Sequence, residues 1–312
     1  MLFPLSIIEP CLDKLGAAIE VPPDCAWRTF SFASTDTTGA EADDDRQVLL
    51  VAPYDCALEI ARDSRTRLLL AVSAPDERQQ REIAAGVSEA TRVSKADTPD
   101  ASHSPSAPSA RDEAQDSAPE SKQAAFPVAT TTLSPAAVCA AINRYLVSIR
   151  EWDAEMSRLV LSNCSTQQLI ELSEKVLGKY IALSDALYAR VATTPHFPPL
   201  DDMSRALIET GTYPTSMIPT IERLAQDQHW HAQSKSHLDQ GGNAINPLPN
   251  MSRIYRLGGN YAAHLVMVSP EPIKPWQQFL FDLLADRVGT CLDRFWQTTL
   301  PSRDKGAAFL SA

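Results

Sequence analysis

The fold depends first on residues 134–162, which read SPAAVCAAINRYLVSIREWDAEMSRLVLS. Apolar side chains recur in this stretch at spacings that alternate between four and three residues. The stripe consists of Val138, Ile142, Tyr145, Ile149, Trp152, Met156 and Leu159. This heptad pattern predicts one long helix that is covered along its length by a partner. A serine followed by a proline, as at Ser134 and Pro135, is typical of a helix start.

The partner of this stripe can be a second copy of the chain or another part of the same domain. We expect the first arrangement, a homodimer through helix 135–162 in which the helix carries a signal along the dimer axis. Tyr145 and Trp152 are large for a tight two-stranded seam. Their size indicates the alternative, in which the helix packs on its own domain.

Upstream of the helix, the pattern indicates a small α/β unit with a parallel sheet. Residues 47–52 and 67–72 are continuous apolar runs of the kind found in buried parallel strands. Each is followed by a segment with helical spacing, at 54–63 and 76–85. Residues 94–125 contain no Val, Ile, Leu, Met, Phe, Tyr or Trp, so we predict a disordered insertion before a third strand at 125–130.

Downstream of the helix, residues 164–300 predict an α+β domain with an antiparallel sheet. A capping box at 165–168 opens a helix that ends at Gly178, and strands follow at 180–184 and 188–193. Further helices are predicted at 203–209 and 219–226, and a loop at 229–250. Two strand-like runs flank Gly258 and Gly259 and predict a hairpin. A last helix begins at Pro275, with an apolar face formed by Phe279, Leu280, Leu283, Leu284, Val288, Cys291, Leu292 and Phe295.

The predicted organisation is therefore an N-terminal α/β unit (1–133), a connecting helix (134–163), an α+β domain (164–300) and a tail (301–312). The net charge is −11, and residues 1–45 alone carry nine acidic and two basic residues. No basic face that could bind a nucleic-acid backbone is visible. Six cysteines without a C-x-x-C pair, the absence of a signal peptide and the lack of a 20-residue apolar run predict a cytoplasmic chain outside the membrane.

The sequence predicts no catalytic, metal or cofactor site. His229, His231 and His237 lack an accompanying carboxylate or cysteine at ligand spacing, so we interpret them as loop residues. Ser184 and Asp185 could form a catalytic pair, but an aspartate after a strand more often bonds its own turn. His264 is expected to be a half-buried, hydrogen-bonded residue of a strand.

Three stretches carry a resemblance to a known family. Helix 165–178 runs directly into strand 180–185, LIETGTY follows at 207–213, and the strands at 250–257 and 263–268 precede a long helix. This order of elements resembles the sensory half of PucR/CdaR-type transcriptional regulators, whose sensor domain is GAF-like. The resemblance covers 126–300, and the α/β start at 47–150 is similar to the N-terminal region that some such regulators carry.

The resemblance implies that the chain is the signal-input part of a transcriptional regulator. A small-molecule effector would bind between the sheet and the loop at 229–250, where Trp230, Tyr255, Tyr261 and His264 are the candidate ligand-binding residues. The family binds DNA through a C-terminal helix-turn-helix domain, which residues 1–312 do not contain, so a truncated regulator and a free-standing sensor both fit. One alternative is a partner-binding scaffold with a degenerate GAF-like fold and no ligand. Another is a small enzyme that uses Ser184 and Asp185 or His264.

Overall fold

The computed structural model describes residues 1–21, 29–30, 32–34, 48–53, 68–73, 128–227, 235–242 and 246–299. These residues form a mixed α/β structure with one sheet that contains parallel strands, one antiparallel sheet and six α-helices. Four predicted segments lie outside the described residues: the helices at 54–63 and 76–85, the insertion at 94–125 and the tail at 301–312.

The first sheet has the strand order β2-β7-β6-β5-β4. Its strands are β2 (Ala18–Glu20), β4 (Phe32–Ser34), β5 (Val48–Pro53), β6 (Leu68–Ser73) and β7 (Val128–Thr130). Neighbours from β4 to β7 are parallel, which confirms the parallel sheet expected from the two apolar runs. The edge strand β2 is antiparallel to β7. A separate two-stranded pairing joins β1 (Phe3–Pro4) to β3 (Thr29–Phe30).

The second sheet is antiparallel throughout and has the order β10-β11-β12-β8-β9. Its strands are β8 (Tyr180–Asp185), β9 (Arg190–Thr193), β10 (His237–Asp239), β11 (Asn250–Leu257) and β12 (Asn260–Val268). The predicted hairpin is confirmed. Gly258 and Gly259 both have positive φ, at 58° and 88°, as a two-residue type I′ turn requires. Strand β10 lies within residues 229–250, for which the sequence predicts a loop. The strand is not predicted because its three residues are all half-buried and show no alternation.

The helices begin and end close to the positions that the capping signals predict. They are α1 (Glu9–Lys14), α2 (Pro135–Leu161), α3 (Thr166–Leu177), α4 (Asp202–Glu209), α5 (Ile218–Asp227) and α6 (Pro275–Thr299). The Ser134 hydroxyl accepts a hydrogen bond from the Ala137 amide at the start of α2. Ser165 and Gln168 form the complete capping box of α3, and Gly178 ends α3 in the left-handed conformation.

The apolar stripe of α2 is covered by the same chain. Ile142, Ile149 and Met156 are fully buried, and Tyr145 and Leu159 are half-buried against the same core. Helix α2 packs against α1, α3 and α6 and against strands β4 and β5. The stripe is therefore buried by the chain's own elements, which is the arrangement given above as the alternative to a dimer seam. Trp152 is also buried in this core.

One hydrophobic cluster extends through both sheets. It includes Phe3 and Leu70 from the N-terminal part, Leu265 and Met267 from the antiparallel sheet, and the inner faces of α2, α3 and α6. Helix α6 differs from the prediction at its end. Phe295 is 57% exposed, whereas its neighbour Trp296 is buried. The reason is that α6 meets the end of α2 here, where the Arg294 side chain donates a 2.7 Å hydrogen bond to the Val160 carbonyl.

Candidate functional site

The two faces of the antiparallel sheet are covered by different helices. Side chains alternate along a strand, so Ile181, Leu183, Leu265 and Met267 face the layer formed by α2, α3 and α6. The intervening residues point to the opposite face, where α4 and α5 cover them. This second face carries Tyr180, Ala182, Val266 and Val268, which form their own apolar cluster with Leu207, Tyr213 and Ile221.

A small cavity lies in this second layer, between the sheet and helices α4 and α5. Its volume is about 50 Å³. Most of its lining is apolar, but several polar side chains, most of them buried, also face it. They belong to Tyr180, Asp201, Ser204, Tyr213, Asn246, Asn250, Ser252 and His264. A cavity of this volume is large enough to hold water.

His264 lies in the sheet on one side of the cavity, whose lining also includes the titratable Asp201. His264 pairs directly with Ser184 across strands β12 and β8, so both side chains lie on the cavity face. The ring is half-buried, and its Nε2 atom is shielded from solvent. Burial lowers the pKa of His264 to about 4. The imidazole is therefore neutral at pH 7, and its expected half-buried place in a strand is confirmed.

Asp185 follows Ser184 but takes no part in the cavity. Its Oδ1 atom accepts hydrogen bonds from the backbone amides of Leu187 and Ala189, each at 2.9 Å. These bonds hold the turn between β8 and β9, where Tyr188 has a positive φ of 60°. The interpretation of Asp185 as a turn residue is confirmed. Its Oδ1 atom is therefore engaged in this turn.

Three tyrosines surround the Ser184 end of the cavity. The Tyr188 ring lies 6.2 Å from the Tyr213 ring and 5.9 Å from the Tyr261 ring, measured between centroids. Burial raises the pKa of both Tyr213 and Tyr261, and the nearby Ser184 hydroxyl opposes that shift. These phenols are neutral at physiological pH and can serve as hydrogen-bonding groups rather than as bases.

Tyr180 is the most deeply buried polar side chain of the cavity. Burial raises the pKa of its hydroxyl to about 12, and the neighbouring Ser204 hydroxyl opposes the shift. Among the described residues, however, Tyr180 has no well-aligned hydrogen-bond partner for this hydroxyl. A buried hydroxyl in this position can bind a water molecule or a small polar ligand in the cavity.

The structure separates the four residues predicted to bind a ligand. His264 lines the cavity, and Tyr261 stands beside it in the tyrosine group. Tyr255 lies on the opposite face, where its hydroxyl donates a 2.8 Å hydrogen bond to the Ala285 carbonyl in α6. Tyr255 and His264 lie on opposite faces of the sheet because His264 is paired with Ile254, the residue before Tyr255, in the β11–β12 register. Trp230 lies outside the described residues.

Sequence reasoning missed Tyr180, Ser204 and Tyr213. The alternation along β8 offers a signal for Tyr180, because Tyr180 and Ser184 are four residues apart and must share a face. No comparable signal exists for the other two. Ser204 is brought to the sheet by α4, and Tyr213 by the turn after Gly211, where the Tyr213 amide donates a 3.1 Å bond to the Tyr188 carbonyl.

A second depression, of about 530 Å³, lies between β11 and α6. Arg253 is its central charge. The guanidinium forms ion pairs of 3.2 Å with both Asp282 and Asp286 and donates a 2.9 Å hydrogen bond to the Ser236 hydroxyl. These contacts join β11 to α6 and leave Arg253 largely neutralised by the protein itself. This arrangement holds the sheet on the helix, and Arg256 and Asp293 add further charges to the lining of the depression.

No protein-family model matches the chain, and no curated protein sequence is significantly similar to it. Within the described part of the chain, no three His, Cys, Asp or Glu side chains are grouped so that they could hold a metal ion. The helices found in that same part include none that combines the length and the apolar character needed to cross a bilayer.

Proposed function

We propose that this chain is a partner-binding scaffold built on a GAF-like fold, and that it acts without a small-molecule ligand. The observation that carries the proposal is the size of the cavity beneath α4 and α5. Pockets that bind metabolites are mostly apolar clefts of roughly 300–1,000 Å³ that enclose the ligand. The depression of about 530 Å³ between β11 and α6 is open, and about half of its lining is polar. The cavity here measures about 50 Å³, because Tyr180, Tyr213 and Ile221 fill the space between helix and sheet.

The chemistry of the cavity supports a binding role rather than a catalytic one. His264 is neutral, and the Asp185 carboxylate is engaged in its own turn. The tyrosines around Ser184 have raised pKa values, so they cannot act as bases near pH 7. The GAF-like part of the proposal is supported by the antiparallel sheet, which has helices on both faces and follows the order of elements that the resemblance implies.

A thermal-shift screen of purines, sugar acids and amino acids tests this proposal. A scaffold without a ligand pocket predicts an unchanged Tm with every compound. The variant Val268→Ile adds a methylene group to the cavity lining, and we expect a Tm equal to or above that of the wild type. Val288→Ile is the matched control, because Val288 is fully buried in α6 away from the cavity and an added methylene there causes overpacking. A saturable Tm increase with one metabolite that Val268→Ile abolishes would refute the scaffold proposal.

The second candidate function is ligand sensing in a cytoplasmic transcriptional regulator of the PucR/CdaR type. The observation that favours it is the group of polar side chains in the cavity lining, where Tyr180, Asn250 and His264 converge beneath α4 and α5. A small polar effector would have to displace these helices to enter. Movement of the sheet would then reach α2 and α6, which pack on its other face, and DNA binding would require a helix-turn-helix beyond residues 1–312. The same screen distinguishes the two functions, since a sensor predicts a saturable response that Val268→Ile removes.

A further inference from the structure

We propose that Cys164 and Cys291 form a reversible disulfide pair that fixes α6 to the turn between α2 and α3. Cys164 lies in this turn, directly after Asn163, which has a positive φ of 58°. Cys291 lies on the side of α6 that faces the turn. Its Sγ atom is 3.2 Å from the Cys164 carbonyl oxygen, to which the thiol donates a hydrogen bond. Both residues are free thiols in the structure.

The two thiols are also close to each other. Burial and the neighbouring Cys164 together raise the pKa of Cys291 to about 11. Arg294, one turn further along α6, is anchored at the end of α2 through its 2.7 Å bond to the Val160 carbonyl. This contact holds α6 against the turn, so that the side chains of Cys164 and Cys291 are kept together across a long separation in sequence.

The accessibility of the two thiols sets the order of the reaction. Cys164 is half-buried and can be reached from solvent, whereas Cys291 is buried. With a small disulfide such as oxidised glutathione as the oxidant, the Cys164 thiolate attacks one sulfur of glutathione disulfide and forms a mixed disulfide. The first glutathione leaves as a thiolate and takes up a proton.

Cys291 then completes the reaction. It gives up its proton, and its thiolate attacks Sγ of Cys164, which displaces the second glutathione. Two protein thiols are thereby oxidised to one disulfide, and one glutathione disulfide is reduced to two thiols. The product links α6 covalently to the α2–α3 turn. It would restrain the helical layer on the face of the antiparallel sheet opposite the small cavity.

Peptide mapping of the full chain tests the proposal. The protein is incubated in glutathione buffers of increasing oxidised fraction, its remaining thiols are alkylated, and the digest is examined by mass spectrometry. We expect a peptide pair linked through Cys164 and Cys291, and its loss after dithiothreitol. Cys291→Ser should stop at a glutathione adduct on Cys164. Cys139→Ser is the matched control, since Cys139 is a buried thiol of α2, and this variant should form the same link as the wild type.

A second measurement covers the case in which a serine variant folds poorly. Oxidised wild-type protein should have a higher Tm than the reduced form, and dithiothreitol should reverse the increase. Oxidised Cys139→Ser should behave in the same way. The proposal is overturned if the wild type accumulates the glutathione adduct without the internal link, or if Cys164 is joined to any cysteine other than Cys291.

Discussion

The side-chain amide of Asn143 pairs with the backbone of Ala33 as a neighbouring strand would. Asn143 Nδ2 donates to the Ala33 carbonyl, and Asn143 Oδ1 accepts from the Ala33 amide, each at 2.9 Å. Ala33 lies in β4, an edge strand of the first sheet. The Gln167 amide makes the same two bonds to Thr193 in edge strand β9, at 2.8 and 3.0 Å. One edge of each sheet is thus closed by an amide from a helix, which satisfies backbone groups that would otherwise be open to pairing.

Removal of the Asn143 amide should therefore destabilise the protein. We expect Asn143→Ala to lower the free energy of unfolding by about 1–3 kcal/mol, because two backbone groups of Ala33 lose their partners. The gain in helix propensity from alanine offsets part of this loss. Glu151→Ala is the control, since Glu151 is exposed on the same helix. Urea denaturation of both variants measures the difference, and equal stability of the two would contradict the edge-closing role.

The stripe of α2 should behave as an internal core. Ile149→Ala should lower the free energy of unfolding by about 2–5 kcal/mol through cavity formation, without a change in the mass of the particle. Val147→Ala is the control on the same helix, because Val147 is 47% exposed. Light scattering coupled to size exclusion measures the mass. The result that would contradict this is a variant with half the molar mass of the wild type and the same urea midpoint of unfolding, since the stripe would then join two copies of the chain.

Two adjacent glycines in the loop before β11 offer a matched comparison. Gly241 and Gly242 both have positive φ, at 77° and 86°. A Cβ atom on Gly241 would lie 2.5 Å from the carbonyl carbon of Leu248, whereas one on Gly242 would meet no described residue within 4 Å. Gly242→Ala should cost about 1–2 kcal/mol through backbone strain alone. Gly241→Ala should cost about 1–3 kcal/mol more, because the chain at Leu248 must move.

Urea denaturation of both glycine variants measures this difference. Hydrogen exchange of the loop provides a second readout, and exchange should increase around Asp239 only in Gly241→Ala. The Asp239 carboxylate accepts a 2.8 Å bond from the Gly241 amide and another from the Asn246 side chain, so displacement of Leu248 would loosen both. Identical losses in the two variants would show that backbone strain, and not close approach, is what requires glycine here.

The buried His264 should make stability depend on pH. Folding lowers the pKa of His264 from 6.5 to about 4, so the unfolded chain binds the proton more readily between these pH values. The contribution of the neutral imidazole is fully present above pH 6.5 and is lost as the pH falls through about 4. It amounts to about 3 kcal/mol at most.

Urea denaturation from about pH 4 to about pH 7, a range that spans the two pKa values of His264, tests this dependence. His264→Gln should flatten the decline in stability toward acid, because glutamine takes up no proton. The free energy of unfolding of the variant at the upper pH gives the pH-independent effect of the substitution, which can then be subtracted from the values at lower pH. Parallel pH curves for wild type and variant would rule out His264 as the source of the dependence.

Much of the fold could be predicted because its signals are local. The length of α2, the capping box at Ser165, the stop at Gly178 and the Gly258–Gly259 turn each follow from the chemistry of a few adjacent residues. The parallel pairing of β5 and β6 follows from two continuous apolar runs. The short strands β4 and β10 were missed, because three residues give too little alternation to identify a strand.

The candidate site was predicted less well, because it depends on register and on distant elements. His264 lies in a strand as predicted, but no local signal separates it from Tyr255. The β11–β12 register places Tyr255 opposite Ala263 and Ile254 opposite His264, and so decides the two faces. Tyr213 and Ser204 reach the cavity only through the packing of α4 and its following turn on the sheet.

The sequence by itself determined that a long amphipathic helix must be covered, since its heptad spacing leaves an apolar face along its whole length. It did not determine what covers that face, because apolar burial is non-directional and a second copy of the chain would serve as well as another element. The tertiary structure decided this by placing α1, α3, α6 and two strands of the first sheet around Ile142, Ile149 and Met156. It likewise decided the size of the cavity beneath α4 and α5, since the volume left between packed layers depends on the fit of side chains that are far apart in the chain.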